Sequence, residues 1–298
     1  MKKINLSLLI KLSLIISLFG VTACNNTTNS VSENNSTPVE NPAPSTAVNR
    51  IVALTSLSAD IIQQLEPTKL VGIPGSSLLK EDSRFNDLVM VSEGRTPPDL
   101  EKIMALEPDL VVGAEGFSDQ ILTRLEELGV KTMTTNINSW ASLLQMIEEL
   151  ATVTGADAEP LINRYQAMIP DNLDSNSSIL ILVSRQPILA PNKNSWTGDL
   201  LTQFKYQNVV ADLQGSSEFG GYVTLSPEKI LETNPEKIII VDPAREGILE
   251  QLKKEPFWSE LTAVKEDKIY DFDYYGLVNP GSMKKVEETL IKLAQEIK

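Results

Sequence analysis

The 298-residue chain has no histidine and one cysteine, Cys24. Without histidine, acid–base catalysis loses its commonest side chain and zinc its commonest ligand. A lone cysteine excludes an intramolecular disulfide, so the fold must be held by burial. Aromatic residues are scarce, at 5%. Positive charge is in deficit, 26 Lys and Arg against 40 Asp and Glu, for a net −14. That balance argues against a nucleic-acid partner, because binding a phosphate backbone needs a basic face. Also missing are GxSxG, a phosphate-cradling glycine loop and a paired-carboxylate motif. These absences read as a protein that is not an enzyme, with no metal site and no resident cofactor.

What is present begins with an address. Lys2 and Lys3 precede an apolar run from Leu6 to Phe19, broken by Lys11 and small polar residues. This run is too short for a spanning helix and reads as a signal peptide over residues 1–23. Its end, Val21-Thr22-Ala23-Cys24, resembles a bacterial lipobox, in which the cysteine is acylated and becomes the first mature residue. An acyl anchor at Cys24 gives a membrane address without a membrane domain. Residues 24–49 are rich in Asn, Ser, Thr and Pro and bury too little to offset the entropy of ordering, so they read as a tether. The expected location is extracytoplasmic, in the periplasm or on the cell surface. About 250 residues remain, enough for one bilobed unit.

Within them a segment recurs. LEKIMALEPDLVV from Leu100 matches PEKILETNPEKIII from Pro227, with Glu101, Lys102, Ile103 and Pro108 aligned on Glu228, Lys229, Ile230 and Pro235. Each copy reads as a short helix stopped before a proline and followed by a buried strand, Leu110–Val112 or Ile238–Val241. Apolar strands at Ile51–Leu54 and Ile179–Val183 open the two halves at nearly the same offset. Helix-then-strand units of this kind build a mostly parallel α/β sheet covered by helices. The halves are expected as lobes over residues 50–138 and 176–298. Between them, residues 139–175 carry two helices. The first has Trp140, Leu143, Leu144, Ile147, Leu150 and Ala151 on one face; the second, after Gly155, has Leu161, Ile162, Tyr165, Met168 and Ile169. The second helix is expected to be the stiff strut between lobes, ending or kinking before Pro170.

Five phrases, RIVALTSLSADIIQQLEPTKLVGIP, LEKIMALEPDLVV, TLSPEKILETNPEKIIIV, FWSELTAVKEDKIYDF and NPGS, occur in an order that resembles the iron-chelate and cobalamin family of periplasmic binding proteins. The resemblance spans about Arg50 to Lys298. It implies two Rossmann-like lobes with mostly parallel sheets joined by a single interlobe helix, the class III, helical-backbone type. It also implies a ligand in the interlobe cleft, and delivery to an ABC permease dimer with its ATPase subunits. Open α/β sheets bind ligands outside the carboxyl ends of their strands. The loops expected there hold Arg95, Phe117, Ser184, Arg185, Trp196, Phe219, Tyr222, Arg245, Tyr274 and Tyr275.

Aromatic rings with a few guanidinium groups suit a large, flat-sided ligand. Each residue keeps a plainer alternative. Trp196 and Tyr222 could cap the core beneath their loops, and Arg185 and Arg245 could be solvated or ion-paired. Tyr274 and Tyr275 suggest phenolate ligands to iron, but adjacent residues of an extended segment point apart, so both reach one metal only if the loop turns between them, and an aromatic wall is the preferred reading. Glu101 and Glu228 sit where a helix dipole favours a carboxylate. By the resemblance they also stand on the tops of the two lobes, where they would pair with permease arginines. The expected cargo is a ferric siderophore, with cobalamin or haem next and a cell-envelope glycan as a reading from another class. The chain is expected to be a monomer.

Overall fold

The computed structural model describes residues 48–94, 96–170, 176–214, 217, 220–243 and 245–297. The expected signal peptide, Cys24 and nearly all of the tether lie outside the described residues. Residues 46–298 form one compact unit.

In the N-terminal lobe, β1 (Ile51–Ala53), β2 (Leu70–Ile73), β3 (Val89–Met90), β4 (Leu110–Ala114) and β5 (Lys131–Thr135) form one sheet. Its order is β3-β2-β1-β4-β5 and every pair is parallel. The C-terminal lobe holds β6 (Ser178–Leu182), β7 (Ser184–Arg185), β8 (Ile188–Pro191), β9 (Gln207–Asn208), β10 (Tyr222–Leu225), β11 (Lys237–Ile240) and β12 (Ile269–Asp271). Four of these make a parallel sheet, β12-β11-β6-β9, and β10-β8-β7 make a small antiparallel one.

Strand alternation assigns each side chain to a layer. Ile51, Ala53, Leu110 and Val112 enter a central cluster, while Val52, Leu54 and Val111 point to an outer one with Ile103, Leu122 and Leu125. The other lobe repeats the pattern: Ile179, Ile181, Ile239 and Val241 enter the same central cluster, and Leu180, Leu182, Ile238 and Ile240 point outward. Two sheets therefore share one core, filled by helices Ser56–Leu65, Trp140–Thr154, Trp196–Gln203 and Met283–Glu296. A shared apolar core resists independent movement of the lobes.

The duplication holds down to its caps. Asp99 and Ser226 cap the two repeated helices, Leu100–Ala105 and Pro227–Thr233, by accepting from first-turn backbone N–H groups. At the other end, Glu107 and Asn234 take left-handed conformations, φ 44° and 36°. Each stands just before a proline, which disfavours helical backbone at that position and ends the helix there.

The connecting segment differs from expectation in which helix is the strut. The second helix, Glu159–Gln166, has 8 residues and stops before Met168. The first, Trp140–Thr154, has 15 and is tied to a different lobe at each end. The Trp140 N–H donates to Asp199 at 2.7 Å, and Lys69 Nζ donates to the Thr154 carbonyl at 2.7 Å. A Ser139/Ser142 capping box starts this helix and Gly155, at φ 74°, ends it.

Candidate functional site

A cavity of about 690 Å³ opens at the carboxyl ends of the N-terminal sheet. Its floor is the turn after β1, where Leu54 and Thr55 lead into helix Ser56–Leu65. Its sides are the turns after β2, β3, β4 and β5, carrying Gly75, Ser92, Glu115 and Asn136. Gly75 is required by close approach: a Cβ there would fall 2.2 Å from the Ser92 carbonyl oxygen. Across the lobe boundary the cavity is closed by Tyr275 and by Asn279, Pro280 and Gly281.

Two of the residues expected at the ligand, Phe117 and Tyr275, line this cavity. Phe117 is 94% exposed, an uncovered ring at the rim. Tyr275 does not lie on an extended segment. Asp273 caps a helical turn, Tyr274–Leu277, by accepting from the Tyr275 N–H at 2.7 Å, and the rings of Tyr274 and Tyr275 meet edge to face at 5.3 Å. The segment thus turns at this pair, and the expectation of an extended segment with the two rings pointing apart is corrected.

Trp196 belongs to the core rather than to the cleft wall. It is 3% exposed, packs 6.3 Å from the Trp140 ring, and donates its indole N–H to the Gly276 carbonyl at 2.9 Å. A ring so enclosed has no face for a ligand. Tyr222 opens β10 and is half-buried. Burial, helped by the neighbouring Tyr274, pushes its phenol up to about 12. At neutral pH it is a hydrogen-bond donor, not a phenolate. Arg185 is ion-paired with Glu255 at 2.5 Å, and Arg245 is exposed on the loop after β11; neither reaches the cavity. Arg95 and Phe219 lie outside the described residues.

Some cavity residues went unread in the sequence. Ser56, Ser77, Lys80 and Asn279 line it with side chains that have no partner among the described residues. Lys80 and Glu115 are the charged side chains of the described lining, and Glu115 accepts from the Asn136 amide at 2.5 Å. A pair of serines, Ser76 and Ser77, after the close-approach Gly75 was the available signal for a turn into a short helix at a strand end. Glu101 and Glu228 are exposed in the first turns of their helices, and neither is ion-paired among the described residues. The Glu228 carboxyl is held below its usual range by its own backbone N–H and by the Ser226 hydroxyl.

Two parallel α/β sheets on a shared core, with one cavity at strand carboxyl ends roofed by the opposite lobe, define a two-lobed ligand-binding protein. The chain matches the periplasmic binding protein family over residues 51–275 and belongs to that family. It is 26% identical to the uncharacterized ABC transporter substrate-binding lipoprotein YvrC of Bacillus subtilis, over 75% of this chain and 72% of that one. The Bacillus subtilis iron-uptake system-binding protein is 23% identical, over 70% and 71%. A vitamin B12-binding protein of Salmonella paratyphi A is 26% identical, over 55% and 62%. Among solved structures, a possible iron-binding protein of Staphylococcus epidermidis superposes with a TM-score of 0.71 at 20% identity, covering 84% of this chain and 98% of that one. Family and relatives make the chain a substrate-binding protein of the ABC-importer class.

Proposed function

We propose that the cavity binds a metal chelate, in the first place a ferric siderophore, and that the protein passes it to an ABC permease rather than acting on it chemically. One observation carries this reading: the cavity lining combines two aromatic rings, the bare Phe117 and Tyr275, with hydroxyl, amide and ammonium groups of Ser56, Ser77, Asn279 and Lys80 that have no partner among the described residues. Rings supply contact area at little entropy cost, and scattered donors suit the oxygen-rich periphery of a chelate whose metal is already ligated. The similarity to an iron-uptake protein supports the same reading. Cobalamin is the second reading, favoured by the placement of Arg185 and Arg245 away from the cavity, whose described lining then carries one charge of each sign, Lys80 and Glu115, and suits a nearly neutral ligand. Titration of the purified protein with ferrioxamine B, ferric citrate, cyanocobalamin and haemin, followed by intrinsic fluorescence, decides between them. Saturable binding only to oligosaccharides would sink both.

For delivery, Glu101 and Glu228 are the docking groups, one exposed carboxylate on each repeat facing a permease of matching twofold symmetry. The protein is held at the membrane through Cys24 and works as a monomer. Among the described residues no helix is long and apolar enough to cross a membrane. Charge reversal at both glutamates should abolish uptake in reconstituted vesicles while leaving ligand affinity within a few-fold. Normal uptake by that double variant would remove the docking assignment.

A further inference from the structure

Among the described residues, the C-terminal lobe contributes to the cavity through a short strap, Tyr275 and Asn279–Gly281. Its own lobe anchors the strap's first half. Trp196 Nε1 donates to the Gly276 carbonyl at 2.9 Å and Thr197 Oγ1 to the Leu277 carbonyl at 2.7 Å. The Gly281 N–H then donates back to the Tyr275 carbonyl at 2.7 Å, closing the strap on itself. It is packed without slack. A Cβ on Gly276 would fall 1.9 Å from Thr289 Oγ1, and one on Gly281 would fall 2.7 Å from both Leu78 and Tyr275.

The strap's far end is held from the opposite lobe. Immediately after it, helix Met283–Glu296 begins, and the Met283 N–H donates to Asp60 Oδ2 at 2.8 Å. Asp60 lies on helix Ser56–Leu65 and is 1% exposed. Its other oxygen accepts from Arg84 at 2.9 Å and from Gln64 at 3.1 Å, and Arg84 is itself held by Asp82. The carboxylate is therefore oriented from within the N-terminal lobe before it reaches across. A buried carboxylate on a helix N-terminus is a strong, directed contact, because the backbone N–H there has no partner in its own helix.

We propose that Asp60 is a positioning residue for ligand binding: through Met283 it fixes the strap that forms the C-terminal wall of the cavity, so the cleft width is set before any ligand arrives. This rests on the cavity being the ligand site. Asp60 does not itself line that cavity. A preset wall removes an ordering cost that would otherwise be subtracted from affinity.

Hydrogen exchange on the full mature protein, read in peptides covering residues 274–283, tests the proposal. Asp60→Ala should speed exchange of the strap by about tenfold or more, with the β11 amides unchanged. Asp60→Asn, which keeps an oxygen for the Met283 N–H, should restore most of the protection. Ile230→Ala, in the outer C-terminal cluster, serves as a destabilised control that should leave the strap protected. Strap exchange equal to wild type in Asp60→Ala, or equal to that of Ile230→Ala, overturns the proposal. In the binding arm, whichever of ferrioxamine B, ferric citrate, cyanocobalamin or haemin binds the wild type should bind Asp60→Ala about tenfold more weakly and Asp60→Asn nearly normally. A loosened strap with unchanged affinity also overturns the positioning role. If no probe binds the wild type while the strap loosens as expected, the reading of the cavity as a chelate site is what fails, and the role in binding falls with it.

Discussion

The two lobes are built from the same repeated helix and strand pair, yet the cavity described above opens at the strand ends of the N-terminal one. In the N-terminal lobe β1 passes into its helix through two residues, Leu54 and Thr55, which leaves the carboxyl ends of the sheet open. In the C-terminal lobe the corresponding stretch, between Leu182 and Trp196, contains β7 and β8, and with β10 these make a separate antiparallel sheet. The helix that follows is then sealed by Trp196 against Trp140. Duplicating a framework thus duplicates the core and the caps but not the site. The connections at the strand ends decide which lobe holds the cavity, because irregular segments there are free of the sheet's packing rules.

The sharpest way to break this comparison is to cut the seal. Trp196→Ala removes a buried indole from the central cluster and leaves the Gly276 carbonyl without its donor, so it should destabilise the fold by about 3 to 5 kcal/mol. Chemical denaturation measures it. A loss below about 1 kcal/mol would return Trp196 to the cleft surface.

Next in size is an alkaline effect shared by both halves. Tyr165, beside the N-terminal lobe, and Tyr222, in the C-terminal one, are each pushed up to about 12, first of all by burial. Between about pH 10 and pH 12 the unfolded chain loses these protons while the folded chain keeps them. Stability is therefore fully present below pH 10 and falls as pH rises through 12, by about 2 to 3 kcal/mol for each tyrosine. Spectroscopic titration of tyrosinate, with Tyr165→Phe and Tyr222→Phe each relieving part of the loss, checks the sign. A stability flat across that window would show that neither phenol is shielded.

A smaller test bears on the duplication itself. Asp99→Ala and Ser226→Ala remove equivalent helix caps and should each cost about 1 kcal/mol. Unequal costs measured by thermal unfolding would mean that the lobes differ in their repeats as well as in their connections.

The repeats were the legible part of this molecule, because strand alternation and a helix stopped before a proline are local patterns that one sequence displays in full. The apolar runs Ile51–Leu54 and Ile179–Val183 were readable as buried strands, while the layer each residue enters, Val52 against Ala53 and Leu180 against Ile181, is given by the packing. The connections were not legible in the same way. Trp196 shows helical spacing whether its ring faces a ligand or a core, and only the packing of Trp140 against it decides. The ion pair of Arg185 with Glu255 and the bond from Met283 to Asp60 join residues far apart in the chain, so no local pattern announces them. Tyr274 and Tyr275 were readable in part: Asp273 before an aromatic pair and Gly276 is a helix-start signal, and its weight was missed.

The smallest expected change in stability belongs to the rim, and its smallness carries the information. Phe117 is the counterpart of Trp196 in the comparison, a large ring after a strand of the open lobe instead of the sealed one. Because it is 94% exposed, Phe117→Ala should leave unfolding within about 0.5 kcal/mol of wild type. A bare ring gains little from the fold, and on the proposed reading its contacts at the cavity rim are made with the ligand. If the proposed site is right, losing the ring should weaken the binding of whichever probe the wild type binds by about 1 to 3 kcal/mol, the range for removing an aromatic contact that is desolvated only in the complex. Calorimetric titration against the best probe, alongside denaturation of the same sample, separates the two quantities. Equal affinity in the variant would leave Tyr275 as the cavity's binding ring, and a large loss of stability would show that Phe117 is covered in solution.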